Sequence, residues 1–151
     1  MTPGPLAGRF FTRMGHSLKW DRSSGERDPL THVIIGCAIK VHSRLKVGLR
    51  EASYEDCLYC FLLESGLSVL RQSEIRPDFG GHSLKRAYRP DLIVNEEVVI
   101  EIKCVSQFTP EHDAQLLTYM RHSRIERGLL LNFHARRMAA GIRRLILSKQ
   151  D

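Results

Sequence analysis

The chain has 151 residues, 42% apolar and 26% charged, which suits one domain with a single core and excludes membrane-embedded and disordered classes. Its opening Met1-Thr2-Pro3-Gly4-Pro5-Leu6-Ala7-Gly8 carries no apolar signal region, and no run of about eighteen apolar residues follows, so a cytoplasmic protein with no membrane partner is expected. A net charge of +6 and a pI near 9.4 favour an acidic partner such as nucleic acid, although charge alone fits a basic domain without one equally well.

Residues 1–27 are rich in Gly, Pro, Ser and charge and lack either period, so they read as a flexible arm that Trp20 docks locally. Residues 28–151 then form a single domain. Asp28-Pro29 offers a cap followed by proline at the first helical position, and Val33, Ile34, Cys37, Ala38, Val41 and Leu45 recur at helical spacing. Gly48 punctuates the pattern. A second helix runs from Arg50 to about Ser65 and stops at Gly66. Leu67, Val69 and Leu70 open a strand leading into Arg71–Ile75, and Phe79-Gly80-Gly81-His82 marks a turn. The second strand runs into Tyr88–Val94 and the third covers Val98–Cys104. Thr109-Pro110 starts another helix by the same cap-plus-proline logic. Gly128–Phe133 reads as a buried strand, and Ile142–Leu147 as a last edge strand or a helical tail. The order helix, strand, strand, strand, helix, strand predicts an α/β mixed sheet flanked by helices.

Of the four cysteines, Cys57 and Cys60 form a C-x-x-C inside a helical pattern rather than at a turn, so both thiols are expected to pack. No second pair completes a zinc site, and the spacing with Cys37 and Cys104 fits no ferredoxin-like run. Arg121, His122, Arg124, Arg127, Arg136, Arg137, Arg143 and Arg144 crowd the C-terminal part, as a basic rim or as a solvated face.

Tyr88-Arg89-Pro90-Asp91 and Glu101-Ile102-Lys103 together make a Pro-Asp…Glu-x-Lys signature. Between them, Leu92-Ile93-Val94 and Val98-Val99-Ile100 flank a polar Asn95-Glu96-Glu97 segment, which is the pattern of a hairpin. A turn centred on Glu96 pairs Val94 with Val98 and Leu92 with Ile100, and sets Asp91 opposite Glu101 with Cβ atoms roughly 4.5–5.5 Å apart. Lys103 then shares the face of Glu101. A turn centred half a step earlier opposes Asp91 to Ile100 and disperses the cluster. A surface ion pair explains two acids and a lysine amid Leu, Ile and Val poorly, because burying unpaired charge is costly.

This order and motif resemble the PD-(D/E)XK nuclease superfamily. More narrowly, Gly48-Leu49-Arg50-Glu51-Ala52-Ser53-Tyr54 is similar to the signature of the GxxExxY proteins, a branch of it, and the segments at 34–42, 88–94, 112–119 and 128–133 resemble that branch in the same order. The resemblance covers about residues 28–147. It departs at Pro90, where relatives often have alanine, and at His112-Asp113, where they usually have His-Glu. It implies a restriction-endonuclease-like αβββαβ core and metal-dependent hydrolysis of phosphodiester bonds in nucleic acid, DNA rather than RNA. It further implies that Asp91 and Glu101 ligate Mg²⁺ or Mn²⁺ with the Ile102 carbonyl, that Lys103 is catalytic without being a ligand, and that Glu51 adds a ligand or water anchor from the second helix. Glu55, one turn later, competes for that last role.

Gln115 and Tyr119 lie four apart on one helix face, and this Gln-x-x-x-Tyr pattern resembles RecB-like nucleases, where it supports the site and contacts nucleic acid. Packing of Tyr119 into the core is the bland alternative. Arg89 is a further nucleic-acid candidate. His42 has two readings, a RecB-like metal ligand or a structural histidine; His112 either caps its helix or polarises a phosphate. The competing function is a catalytically silent nucleic-acid- or protein-binding module that retains the fold. A domain this small also raises a homodimer or a partner protein as the way to grip a duplex.

Overall fold

The computed structural model describes residues 16–20, 28–83, 85 and 87–149. Its strands are β1 (His16–Trp20), β2 (Val69–Arg71), β3 (Asp78–Phe79), β4 (His82–Ser83), β5 (Leu92–Val94), β6 (Val98–Lys103), β7 (Arg127–Asn132) and β8 (Ile142–Lys149). Its helices are α1 (Pro29–Leu45), α2 (Glu51–Glu64) and α3 (Pro110–Ser123), with a 3₁₀ turn at Met138–Gly141. Six strands form one mixed sheet in the order β1-β8-β7-β6-β5-β2, and β3 and β4 form a separate hairpin. From α1 onward this is the expected α/β architecture with an αβββαβ core. Among the described residues no helix is long and apolar enough to cross a membrane.

Local chemistry explains the element ends. The Asp28 side chain accepts the Thr31 amide at 2.9 Å and caps α1, with Pro29 at its first position. Thr109 caps α3, and the Thr109 amide donates to His112 Nδ1 at 3.0 Å, so His112 acts in a capping box. The β5–β6 turn has Asn95 and Glu96 at φ of +51° and +56°, the sign that primed hairpin turns require. Asparagine suits this conformation, and its side chain also accepts the Ser68 amide at 2.8 Å.

The sheet buries both faces. Ile34, Val41, Tyr54, Leu58 and Leu62 of α1 and α2 pack on Leu92, Val94, Val98, Ile100, Ile102, Leu129 and Leu131. On the other side Leu116, Tyr119 and Met120 of α3 pack on Ile93, Val99, Leu130 and Leu145. Strand alternation therefore sends Ile100 and Ile102 toward α1 and α2, while Glu101 and Lys103 point to the α3 side.

Four expectations need correction. Of the two thiols expected to pack, Cys57 is half-buried against the core but Cys60 is exposed. His16–Trp20, expected within a flexible arm, is a strand pairing antiparallel with β8, Leu18 opposite Leu147. Its partner lies more than a hundred residues away, so nothing local in the sequence announces it; the rest of that expected arm lies outside the described residues. The segment at 142–147 is strand, not helix, and with β1 beside it β8 is not an edge. The strand expected over Tyr88–Val94 is confined to Leu92–Val94, because Pro90 lacks an amide for the ladder; Tyr88 pairs with Ile75 alone.

Candidate active site

The β5–β6 register is Leu92 opposite Ile100 and Val94 opposite Val98. Carried one residue further, it sets Asp91 against Glu101. The two are cross-tied: the Asp91 amide donates to Glu101 Oε1 at 2.8 Å, and the Ile102 amide donates to Asp91 Oδ2 at 2.7 Å. Each carboxylate thus keeps one oxygen on the main chain of the opposing strand segment. Glu101 is only 3% exposed. Burial pushes its carboxyl up from the usual range, and the Asp91 charge pushes it further. Burial and Glu55 likewise push the Asp91 carboxyl up, against the pull of the Ile102 amide. Desolvated, mutually repelling carboxylates of this kind are what a divalent cation relieves.

Lys103 closes the third side. Its Nζ is 2.9 Å from Gln115 Oε1 and 3.9 Å from Glu101 Oε2. Gln115 in turn donates to the Tyr119 hydroxyl at 3.0 Å, so this face of α3 reaches the acidic pair through Lys103. Burial, then Glu101, push the Tyr119 phenol up to about 12, which keeps it a neutral hydroxyl. Tyr88 meets Tyr119 edge-on at 5.9 Å and stacks on His122 at 6.1 Å.

Helix α2 supplies two further acids, four residues apart on one face. Glu51 accepts the Cys104 amide at 3.2 Å, immediately beyond Lys103. Glu55 is 8% exposed and sits nearer Asp91: Gln72 Nε2 donates to Glu55 Oε1 at 2.7 Å and to Asp91 Oδ1 at 3.1 Å. Arg71 Nε also holds Glu55, at 2.8 Å. Sequence reasoning missed Gln72. Its φ of +51° is unusual for a residue other than glycine, and nothing in the surrounding pattern signals it.

The Gly48…Glu51…Tyr54 pattern acquires a physical explanation. Gly48 turns at φ +111°, Glu51 reaches the end of β6, and fully buried Tyr54 stacks on Phe133 at 4.7 Å. The Tyr54 hydroxyl donates to the Lys46 carbonyl and receives the Leu49 amide at 3.2 Å, which pins the loop before Glu51. The His42 Nε2 lies 2.7 Å from the Ala135 carbonyl and so ties α1 to the loop after β7. Arg89 is exposed and ion-paired with Glu74, which also holds Arg76 at 3.1 Å. Asp113 receives Arg143 through both oxygens, at 2.9 and 2.8 Å, and serves as a staple between α3 and β8.

Among the described residues no group of three or more His, Cys, Asp and Glu side chains is arranged to hold a metal ion. The donor set nevertheless fits magnesium-type coordination, in which one or two carboxylates suffice and water completes the shell.

The family model of the PD-(D/E)XK nuclease superfamily matches residues 28–145, and the chain belongs to that superfamily. Its class of activity is that of a nuclease, a hydrolase whose substrate is nucleic acid, and the superfamily generally uses divalent metal ions. No curated protein matches the sequence. Among solved structures, an alkaline exonuclease (LHK-Exo) from Laribacter hongkongensis is similar at 17% identity over 76% of each chain, with a TM-score of 0.39. The same LHK-Exo in complex with dAMP is similar at 16% identity over 80% of this chain and 83% of that one, again at 0.39. Likeness at that score is too distant to carry a functional conclusion.

Proposed function

We propose that this chain is a Mg²⁺- or Mn²⁺-dependent nuclease that cleaves DNA, with Asp91 and Glu101 as ligands and Lys103 as the catalytic cation. The observation that carries the reading is the crossed Asp91–Glu101 pair with the Lys103 ammonium between Glu101 and Gln115. Asp91, Glu101 and the Ile102 carbonyl would hold the cation, and Glu51 or Glu55 would anchor its water. When bound, the cation supplies Lewis acidity: it acidifies a coordinated water and neutralises phosphate charge.

The chain's own groups do the rest. Gln72 holds Asp91 beside Glu55 despite their like charge. Lys103 presents a fixed positive charge to the oxyanion that develops at phosphorus. Gln115 receives one of its hydrogens and so aims the ammonium, while Tyr119 fixes the amide of Gln115. The geometry also supports a finer placement in the GxxExxY branch, with the RecB-like Gln-x-x-x-Tyr pair, because both motifs have residues that reach β6 or Lys103. The four free cysteines suit a reducing, cytoplasmic setting, and a homodimer or a partner protein is the arrangement by which a domain this small would span a duplex.

The test is a cleavage panel of single-stranded, duplex and branched DNA and of RNA, with Mg²⁺, Mn²⁺ or EDTA, comparing the parent with Asp91→Asn. Product that needs metal and Asp91, on DNA in preference to RNA, is expected. Metal-independent binding without any product would favour a silent binding module instead.

A further inference from the structure

The basic residues are not distributed as the sequence suggests. Arg127 is consumed by Asp28 and Glu97, Arg143 by Asp113, and Arg76 and Arg89 by Glu74. Two exposed loops differ. Lys46 and Arg50 flank the α1–α2 turn, and Arg136 and Arg137 follow the end of β7; all four are exposed, and among the described residues none has an acidic partner.

These loops are tied to each other and to the site. The Lys46 carbonyl accepts the Tyr54 hydroxyl, and the Tyr54 ring lies flat on Phe133, which opens the second loop. His42, four residues before Lys46, holds the carbonyl of Ala135, next to Arg136. From the same turn Glu51 reaches the Cys104 amide, so the joined loops border the end of β6 that carries Lys103. Strands β6 and β7 are parallel, with Lys103 beside Asn132, and both therefore deliver their following loops to one end of the sheet.

We infer that Lys46, Arg50, Arg136 and Arg137 form one continuous phosphate-binding rim that seats the DNA backbone against the acids. Unpaired, solvated guanidinium and ammonium groups recruit a polyanion by releasing its counterions, with no need for base readout. The rim rests on the nuclease reading and adds to it the path of the substrate.

The test measures binding of a fluorescein-labelled single-stranded DNA to the full chain in EDTA, across a salt series. The parent is compared with Lys46→Gln/Arg50→Gln, with Arg136→Gln/Arg137→Gln, and with the four changes combined. Each released phosphate contact on a single strand contributes about 0.7 to the slope of log K against log salt, so the combined variant should lose a slope of about 3 and on the order of 100-fold in affinity at low salt. Each pair should account for about half. In cleavage assays the loss should fall on KM. Because the residues are exposed, unchanged thermal melting verifies that the variants fold.

A slope change below about 0.5 in the combined variant, or one borne by a single loop, overturns the rim. If the parent cuts and binds while the variant keeps its slope, only the rim fails. If the parent neither binds nor cuts DNA, the nuclease reading fails with it.

Discussion

The Lys103 ammonium and the Gln115 side-chain carbonyl are 2.9 Å apart, and this contact joins β6 to α3 directly over the acidic pair. Lysine is a flexible point charge, so its electrostatic effect depends on being held where charge develops. Gln115→Ala should lower kcat by about 10-fold or more and leave KM nearly unchanged, since a misplaced catalytic group costs transition-state rather than ground-state binding. Tyr119→Phe, which removes only the hydroxyl at the end of the relay, should cost less. A Gln115→Ala enzyme that loses through KM alone would instead make Gln115 a substrate contact.

Asp91, Glu55 and Glu101 crowd acidic groups where desolvation already disfavours charge. Asp91→Asn keeps an oxygen for the Ile102 amide while removing one charge. Without metal it should raise stability by about 1 kcal/mol, or roughly 2–4 °C in melting temperature for a chain of this size. Added Mg²⁺ or Mn²⁺ should raise the melting temperature of the parent and not that of the variant, because only a ligand that binds the folded state stabilises it. Equal metal-induced shifts in both proteins would remove Asp91 from the ligand set.

The hairpin was legible because apolar β-branched runs flank Asn95-Glu96-Glu97, but its register was not: both faces of β5 and β6 are buried, so a slip by one residue would still bury Leu, Ile and Val, and the turn at Asn95 and Glu96 makes the choice. The starts of α1 and α3 were legible for a similarly local reason, a cap followed by proline. Glu51 and Glu55 could not be ranked from sequence, since residues four apart share a helix face and only the position of Gln72 brings Glu55 closer to Asp91. Gln72 itself, His42 against Ala135 and β1 against β8 depend on partners 19, 93 and well over a hundred residues away, where periodicity carries no information.

Asp28 links helix capping to sheet anchoring, accepting from Thr31 and pairing with Arg127 at the start of β7. Burial alone would raise its carboxyl, but the Thr31 and Arg127 bonds outweigh it and bring it down to about 2. A folded-state value below the unfolded one means that the stabilisation is complete above about pH 4 and disappears as the pH falls through about 2. Asp28→Ala should therefore cost about 1 kcal/mol in urea unfolding at neutral pH, as a lost cap does, with the difference from the parent closing near pH 2. A difference that persists undiminished at pH 2 would mean the loss is packing rather than charge.

Gly141 ends the 3₁₀ turn under the second basic loop, and a Cβ added there would lie 2.4 Å from the Asn132 carbonyl and 2.9 Å from the Ala135 Cβ. Backbone cannot step aside as a side chain can. The Asn132 side chain also accepts the Val105 amide at 3.1 Å and donates to its carbonyl at 2.8 Å, so it holds the segment that follows Lys103. Gly141→Ala should destabilise by about 1–3 kcal/mol and lower kcat through displacement of that segment. Gly128→Ala is the contrast: its Cβ would meet side chains rather than backbone, the Met120 sulfur at 2.5 Å and the Leu116 methyls at 3.0 and 3.1 Å, and these can shift where a main chain cannot, so its cost should be smaller. Denaturant unfolding of the two variants beside the parent checks the order. A Gly141→Ala protein no less stable than Gly128→Ala would show that the turn can shift without strain.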